Sequence, residues 1–336
     1  MNTMIQDKLF IIAEMSGNHN QSLDKALAIV DAAAFAGAHA IKIQTYTADT
    51  ITMPGVYTIR DEKSLWKERE LYDLYKEAYT PWEWHQAIFD RAREKGILCF
   101  STPFDETSVD FLETLNNPIY KIASFEVNHI PLLKKVAQTG KPVIMSTGAS
   151  TLDEITEAVE TLKDAGCKDL TLLKCTSTYP ASPESTNLQT IPLLQKIFDC
   201  KVGLSDHTIG IGVSIASIAL GASVIEKHFC LDRSEGGVDS AFSLEPDELK
   251  SLVEEAQRAH LALGTASFEI QESEKNSRIF KRSIYASRDI KQGEPFSSEN
   301  VKIIRPALGL APKHWDWLLT QTAPTDIKKG QPIPRL

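Results

Sequence analysis

An apolar run of six to eight residues ending in polar side chains, followed by an amphipathic helical stretch, recurs through most of this 336-residue chain. The runs occupy 10–15, 40–46, 97–104, 120–125, 143–148, 170–175, 202–207 and 223–229. Helical periodicity fills 22–36, 81–95, 106–115, 151–165, 191–198, 212–220 and 245–263. The last of these opens on Glu245, Pro246 and Asp247, a proline and two acids suited to a first helical turn. Strands that alternate with helices predict right-handed βαβ units and a parallel sheet. Eight units in about 260 residues are the size of an α/β protein of the closed (β/α)8 TIM barrel type. An open doubly wound sheet is the alternative, although no G-x-G-x-x-G follows the first run. The long connection 47–79, rich in aromatic residues (Tyr57, Trp66, Tyr72, Tyr75), is expected over the barrel mouth.

Past the eighth unit the helical period stops. A charged stretch, 271–282, reads as a linker, which assigns 1–270 to the barrel and 283–336 to a small β-rich domain. In that tail Asp289-Ile290-Lys291-Gln292-Gly293-Glu294-Pro295-Phe296 returns 37 residues later as Asp326-Ile327-Lys328-Lys329-Gly330-Gln331-Pro332-Ile333, with five of eight positions identical. This predicts a duplicated turn-and-strand unit. A domain of about 55 residues is marginal alone and is expected to pack on a barrel, its own or a neighbour's.

Charge and cysteine usage narrow the functional classes. Thirty-six Lys and Arg against 45 Asp and Glu give a net charge of −9, and no basic block offers a phosphate-backbone footprint, which argues against nucleic acid. The longest weakly polar stretch, 213–225, is too short for a membrane span. The N-terminus, with Lys8 before an apolar run that Glu14 interrupts, does not read as a signal peptide. Five scattered cysteines without a C-x-x-C pair read as reduced, idle or buried thiols, and a cytoplasmic location is expected.

In a TIM barrel the C-terminal ends of the strands line the active site. Here they supply Glu14, Lys42, Gln44, Ser101, Thr102, Lys121, Ser124, Ser146, Thr147, Lys174, Thr176, Ser205, Asp206, His207, Glu226 and His228. The plain reading is a set of mutually neutralising strand-end ions. The functional one splits by charge. Lys42, Lys121 and Lys174, with Ser124, Ser146 and Ser205, form a ring suited to a multiply charged anion such as a phosphate ester. His207 and His228 end adjacent strands, and two neutral imidazoles with open positions suit a divalent transition metal. Either histidine alone reads first as a hydrogen-bonded core or rim residue.

The phrases Ala13-Glu14-Met15-Ser16-Gly17-Asn18-His19-Asn20, Lys42-Ile43-Gln44-Thr45, Ser101-Thr102-Pro103-Phe104, Tyr120-Lys121-Ile122-Ala123-Ser124, Met145-Ser146-Thr147-Gly148, Gly203-Leu204-Ser205-Asp206-His207 and Ile225-Glu226-Lys227-His228-Phe229 resemble the sialic acid synthase family. Its members condense phosphoenolpyruvate with an amino-sugar to give nine-carbon ulosonic acids. The tail resembles that family's antifreeze-protein-like (SAF) domain. The resemblance implies that Lys42, Lys121, Ser124, Ser146, Ser177 and Ser205 hold phosphoenolpyruvate. It implies that His207 and His228 ligate a divalent metal, manganese before magnesium or cobalt, and that Glu14 is the acid/base group. It places Gln44, Tyr179 and Asp239 on the open-chain sugar. Arg305 would reach the sugar's N-acetyl group from the other subunit of a domain-swapped homodimer.

Local phrases, among them Lys174-Cys175-Thr176-Ser177-Thr178-Tyr179-Pro180 and Arg282-Ser283-Ile284-Tyr285-Ala286-Ser287, resemble the branch that takes a diacetamido trideoxy hexose, 2,4-diacetamido-2,4,6-trideoxy-L-altrose. Ser177 stands where neuraminate-forming members carry Asn. The segment 59–66 lacks the Gly-Gly associated with the diacetamido branch before Leu65-Trp66, so the legionaminate- and neuraminate-forming branches stay open. Outside the family, the alternatives are a Schiff-base aldolase using Lys42, Lys121 or Lys174, and a non-catalytic sugar-binding protein.

Overall fold

The structure, a computed structural model, describes residues 9–334 apart from Lys63; the segment around Lys8 lies outside the described residues. The chain divides into two compact units, Met1–Gly264 and Thr265–Leu336. Among the described residues of the first, eight parallel strands close in sequence order into a barrel. They are β1 (Phe10–Glu14), β2 (Ala40–Thr45), β3 (Leu98–Pro103), β4 (Tyr120–Ile122), β5 (Val143–Ser146), β6 (Leu170–Cys175), β7 (Lys201–Asp206) and β8 (Val224–His228). The open-sheet alternative is thereby removed. The helices are α1 (Leu23–Phe35), α2 (Ala48–Ile51), α3 (Leu71–Ala78), α4 (His85–Lys95), α5 (Glu106–Thr114), α6 (Ile130–Gln138), α7 (Leu152–Asp164), α8 (Thr190–Phe198), α9 (Gly212–Ile218) and α10 (Pro246–Leu263).

Local chemistry explains the helix starts. Thr151 caps α7 by accepting from the Glu154 N–H at 3.3 Å, and Glu154 accepts in return from the Thr151 N–H at 2.7 Å. Asp105 caps α5 by accepting from the Thr107 and Ser108 N–H groups. The periodicity did not single out α6, which turns Leu132, Leu133 and Val136 to the core and carries Pro131 in its first turn. None of the described helices is long and apolar enough to cross a membrane.

Strand alternation makes two cores. Ile11, Ala13, Ile41, Ile43 and Leu172 face outward against the helices, whereas Phe10, Ile12, Ala40, Phe100, Ile144, Leu173 and Val224 plug the barrel interior. Gly203 is required on β7, because a Cβ there would stand 2.2 Å from the Val224 carbonyl oxygen. One residue pair beyond this plug, the inward positions become polar, and there the site begins.

In the second unit β9 (Ser283–Ala286) pairs antiparallel with β10 (Val301–Ile304). The duplicated motif folds as two reciprocal halves. Lys291 Nζ donates to Asp326 at 2.9 Å and Lys328 Nζ to Asp289 at 3.2 Å, while Ile290 and Ile327 exchange backbone N–H···O bonds of 2.8 Å. Segment 271–282, read as a linker, carries 3-10 turns at Glu272–Glu274 and Asn276–Phe280 and groups with this unit.

Candidate active site

At the C-terminal mouth the strand ends bring together Glu14, Lys42, Lys121, Ser205, Glu226, His207 and His228, all buried. Register aligns them: Glu14 lies opposite both Lys42 and His228, and Ser205 opposite Glu226. Lys42 Nζ stands 2.6 Å from Glu14 Oε2, donates to Thr102 Oγ1 at 3.1 Å and lies 4.0 Å from Glu226. Lys121 Nζ stands 3.3 Å from Glu226 Oε1, which also accepts from Ser205 Oγ at 3.1 Å. The lysines of the anion ring are therefore partnered by carboxylates in the free chain. Glu226, a strand-end residue without an assigned role in the sequence reading, is the shared counter-ion.

Burial shifts these groups. It raises Glu14 above the usual carboxylate range despite Lys42, with Glu226 adding to the rise. It lowers Lys121 despite Glu226. Lys42, opposed by burial, is raised by Glu14 and Glu226. Gln44 Nε2 donates to Glu14 Oε1 at 2.8 Å and to Ser16 Oγ at 3.1 Å, and Ser16 donates to Asp239, which ties the Gln44 and Asp239 positions to the carboxylate.

Beside the lysines lies a hydroxyl-lined cradle. A Cβ on Gly148 would fall 2.1 Å from Ser177 Oγ and 2.8 Å from Ser124 Oγ, so the glycine keeps that space open. The Gly148 N–H donates to Ser124 Oγ at 3.0 Å. Ser146 Oγ is buried without a hydrogen-bond partner. Unused buried donors of this kind suit an incoming anion.

The imidazoles of His207 and His228 have ring centroids 5.2 Å apart, with Tyr179 4.5 Å from the first and Phe242 4.9 Å from the second. His207 Nδ1 bonds to the Thr176 carbonyl at 3.0 Å, leaving Nε2 as the free nitrogen. His228 Nδ1 is buried without a hydrogen-bond partner, and burial, then His207, holds that imidazole well below its ordinary pKa. Among the described residues no three His, Cys, Asp or Glu side chains gather as a metal cluster. Against burial, Cys175 and the Thr176 carbonyl raise His207 above its ordinary pKa. The two imidazoles fit a divalent ion once His207 gives up its proton, with water or substrate oxygens completing the set.

Lys174 departs from its sequence reading. Lys174 is no part of the ring: it is out of phase with the inward positions of β6, and its Nζ bonds to the Cys175 carbonyl at 2.6 Å and Thr176 Oγ1 at 3.3 Å. Cys175 is not idle. It takes the inward position, with Sγ 3.8 Å from His207 Nδ1 and 3.7 Å from Ser177 Oγ. Burial would raise this thiol, but the His207 contact outweighs it and brings it down to about 6. All five cysteines are free.

From the long 47–79 connection, Trp66 donates its indole N–H to the Val238 carbonyl at 2.9 Å and packs 5.6 Å from Tyr179, covering one side of the mouth as expected. Arg305 belongs to the second unit, where it is exposed at the end of β10.

The sequence profile of the NeuB family matches residues 29–268, and that of the SAF domain matches 281–335. The chain is 47% identical over 329 residues to a pseudaminic acid synthase of Campylobacter jejuni subsp. jejuni serotype O:2, covering 97% of this chain and 95% of that protein. An N,N'-diacetyllegionaminic acid synthase of the same organism is 38% identical over 330 residues, covering 97% and 99%. Among solved structures, the N-acetylneuraminic acid synthetase of Leptospira borgpetersenii in complex with citrate superposes with a TM-score of 0.72 at 35% identity, covering 81% of this chain and 90% of that one. A closed barrel with this mouth, followed by a SAF domain and matched over nearly its whole length, belongs to the NeuB family.

Proposed function

We propose that this chain condenses phosphoenolpyruvate with 2,4-diacetamido-2,4,6-trideoxy-L-altrose and water, giving pseudaminic acid and inorganic phosphate. The observation that carries the chemistry is the buried Glu14–Lys42–Glu226–Lys121 array, with the unpartnered Ser146 hydroxyl and the His207–His228 pair. The sugar rests on the higher identity to a pseudaminic than to a legionaminic acid synthase, 47% against 38%.

Lys42 and Lys121 bind the enolpyruvate's phosphate and carboxylate, with Ser124, Ser146, Ser177 and Ser205 orienting their oxygens. Holding both reactants in one pocket makes attack by C3 on the sugar aldehyde effectively intramolecular. Gln44, Tyr179 and Asp239 position the open-chain sugar. His207 and His228 would hold a divalent ion, Mn2+ in our reading with Mg2+ or Co2+ as substitutes, which would supply electrophilic polarisation of the aldehyde. Water adds at C2, and the tetrahedral intermediate collapses by C–O cleavage with loss of phosphate. Glu14, its carboxyl raised by burial, exchanges the proton with the sugar oxygen. We place the enzyme in the cytoplasm as a domain-swapped homodimer in which Arg305 reaches the sugar's N-acetyl group across subunits.

Phosphoenolpyruvate carrying 18O in the C–O–P bridge tests the chemistry. C–O cleavage delivers the label to inorganic phosphate, in a reaction abolished by EDTA and restored by Mn2+. Label retained in the organic product contradicts it. A covalent adduct after borohydride treatment would instead support the Schiff-base aldolase, for which Lys174 is already badly placed.

A further inference from the structure

Asp206 and Lys227 precede His207 and His228 by one residue, on the outward faces of β7 and β8, and are partners in the sheet register. Both side chains are fully enclosed, with Lys227 Nζ donating to Asp206 Oδ2 at 2.9 Å. Asp206 Oδ1 accepts from the Thr208 N–H at 2.9 Å and from the Thr208 hydroxyl at 2.8 Å. Lys227 Nζ also donates to the Thr208 carbonyl. Ser214 Oγ of α9 donates to Asp206 Oδ2 at 2.6 Å. Every polar group of Thr208, the residue that leaves His207, is thus held by one ion pair. The His207 carbonyl itself accepts from the Ala181 N–H at 2.9 Å.

A buried ion pair is a poor source of stability, since well-packed apolar residues of similar volume often do as well. Its placement is what is informative. It cross-links two strands at the register position just before each imidazole, and strand alternation puts the pair behind the sheet and the histidines in front. We propose that Asp206 and Lys227 are positioning residues that set the His207–His228 spacing for the divalent ion. This rests on the metal reading of the site given above. Support behind ligating histidines is a recognised determinant of metal affinity.

Calorimetric titration of Mn2+ into the substrate-free full chain tests it. The double variant Asp206→Leu/Lys227→Met replaces the pair by apolar groups and should fold. It is expected to bind Mn2+ about 10- to 100-fold more weakly, with phosphoenolpyruvate affinity in EDTA changed by less than about twofold. Ser214→Ala, which removes only one hydroxyl from Asp206, should weaken Mn2+ binding by about two- to fivefold. A folded double variant that keeps native Mn2+ affinity overturns the proposal. If that variant does not fold, native affinity in Ser214→Ala overturns it. A native chain that binds no Mn2+ refutes the metal reading instead.

Discussion

Glu14 stands 2.6 Å from Lys42, yet burial still holds its carboxyl above the ordinary range, the direction that suits a proton carrier. Glu14→Gln should leave the fold intact while turnover falls at least about 100-fold. Near-normal turnover would remove Glu14 from the acid/base role. Glu126, half-buried in the turn after β4, carries an unpartnered Oε2, and burial lifts it from 4.5 to about 7 despite Lys121. Between those values the native chain binds a proton that the unfolded chain releases. Stability therefore falls as pH rises through that window. Glu126→Gln should stabilise the fold by about 1–3 kcal/mol at pH 8 and not at pH 4, read from denaturant melts at both. A gain at pH 4 as large as at pH 8 would contradict that account. At this scale the sequence exposed the charged strand-end residues themselves, but not which of them pair, since Glu226 becomes the shared partner only when β2, β4 and β8 curve together.

Strand phase decides which strand-end residues reach the mouth. Leu172 and Lys174 share the outward face of β6, Leu173 and Cys175 the inward one. The period-2 rule was available in the sequence, and counting from Leu173 would have exchanged Lys174 for Cys175. All-apolar barrel strands hide that phase, because both faces are buried. Lys121→Met should raise the KM for phosphoenolpyruvate about 10-fold or more by removing a charge-assisted contact. Lys174→Met should change it by less than about twofold, as for an exposed or self-satisfied lysine. Equal effects in steady-state kinetics would contradict the phase assignment. The barrel strands were legible as runs, whereas the period did not single out α6.

For the whole molecule, eight βα units and a duplicated tail were readable from repetition alone, and the reciprocal Lys291–Asp326 and Lys328–Asp289 pairs show why the repeat exists. The part played by Arg305 was not readable that way, since an exposed arginine before a proline carries no local signal. If it completes the sugar site across a dimer, cutting the chain after Gln271 should leave phosphoenolpyruvate binding intact and lower condensation at least about 100-fold. Light scattering should then report a smaller assembly. A fully active, monomeric barrel would refute that role.

The central claim is the identity of the sugar joined to phosphoenolpyruvate. Its most direct test is inorganic phosphate release by the Mn2+-loaded full chain, offered 2,4-diacetamido-2,4,6-trideoxy-L-altrose, its gluco-configured counterpart and N-acetylmannosamine in parallel. Release with the altrose sugar, and little with the other two, is the expected result. Faster release with either of the others, or none with any, would contradict the account.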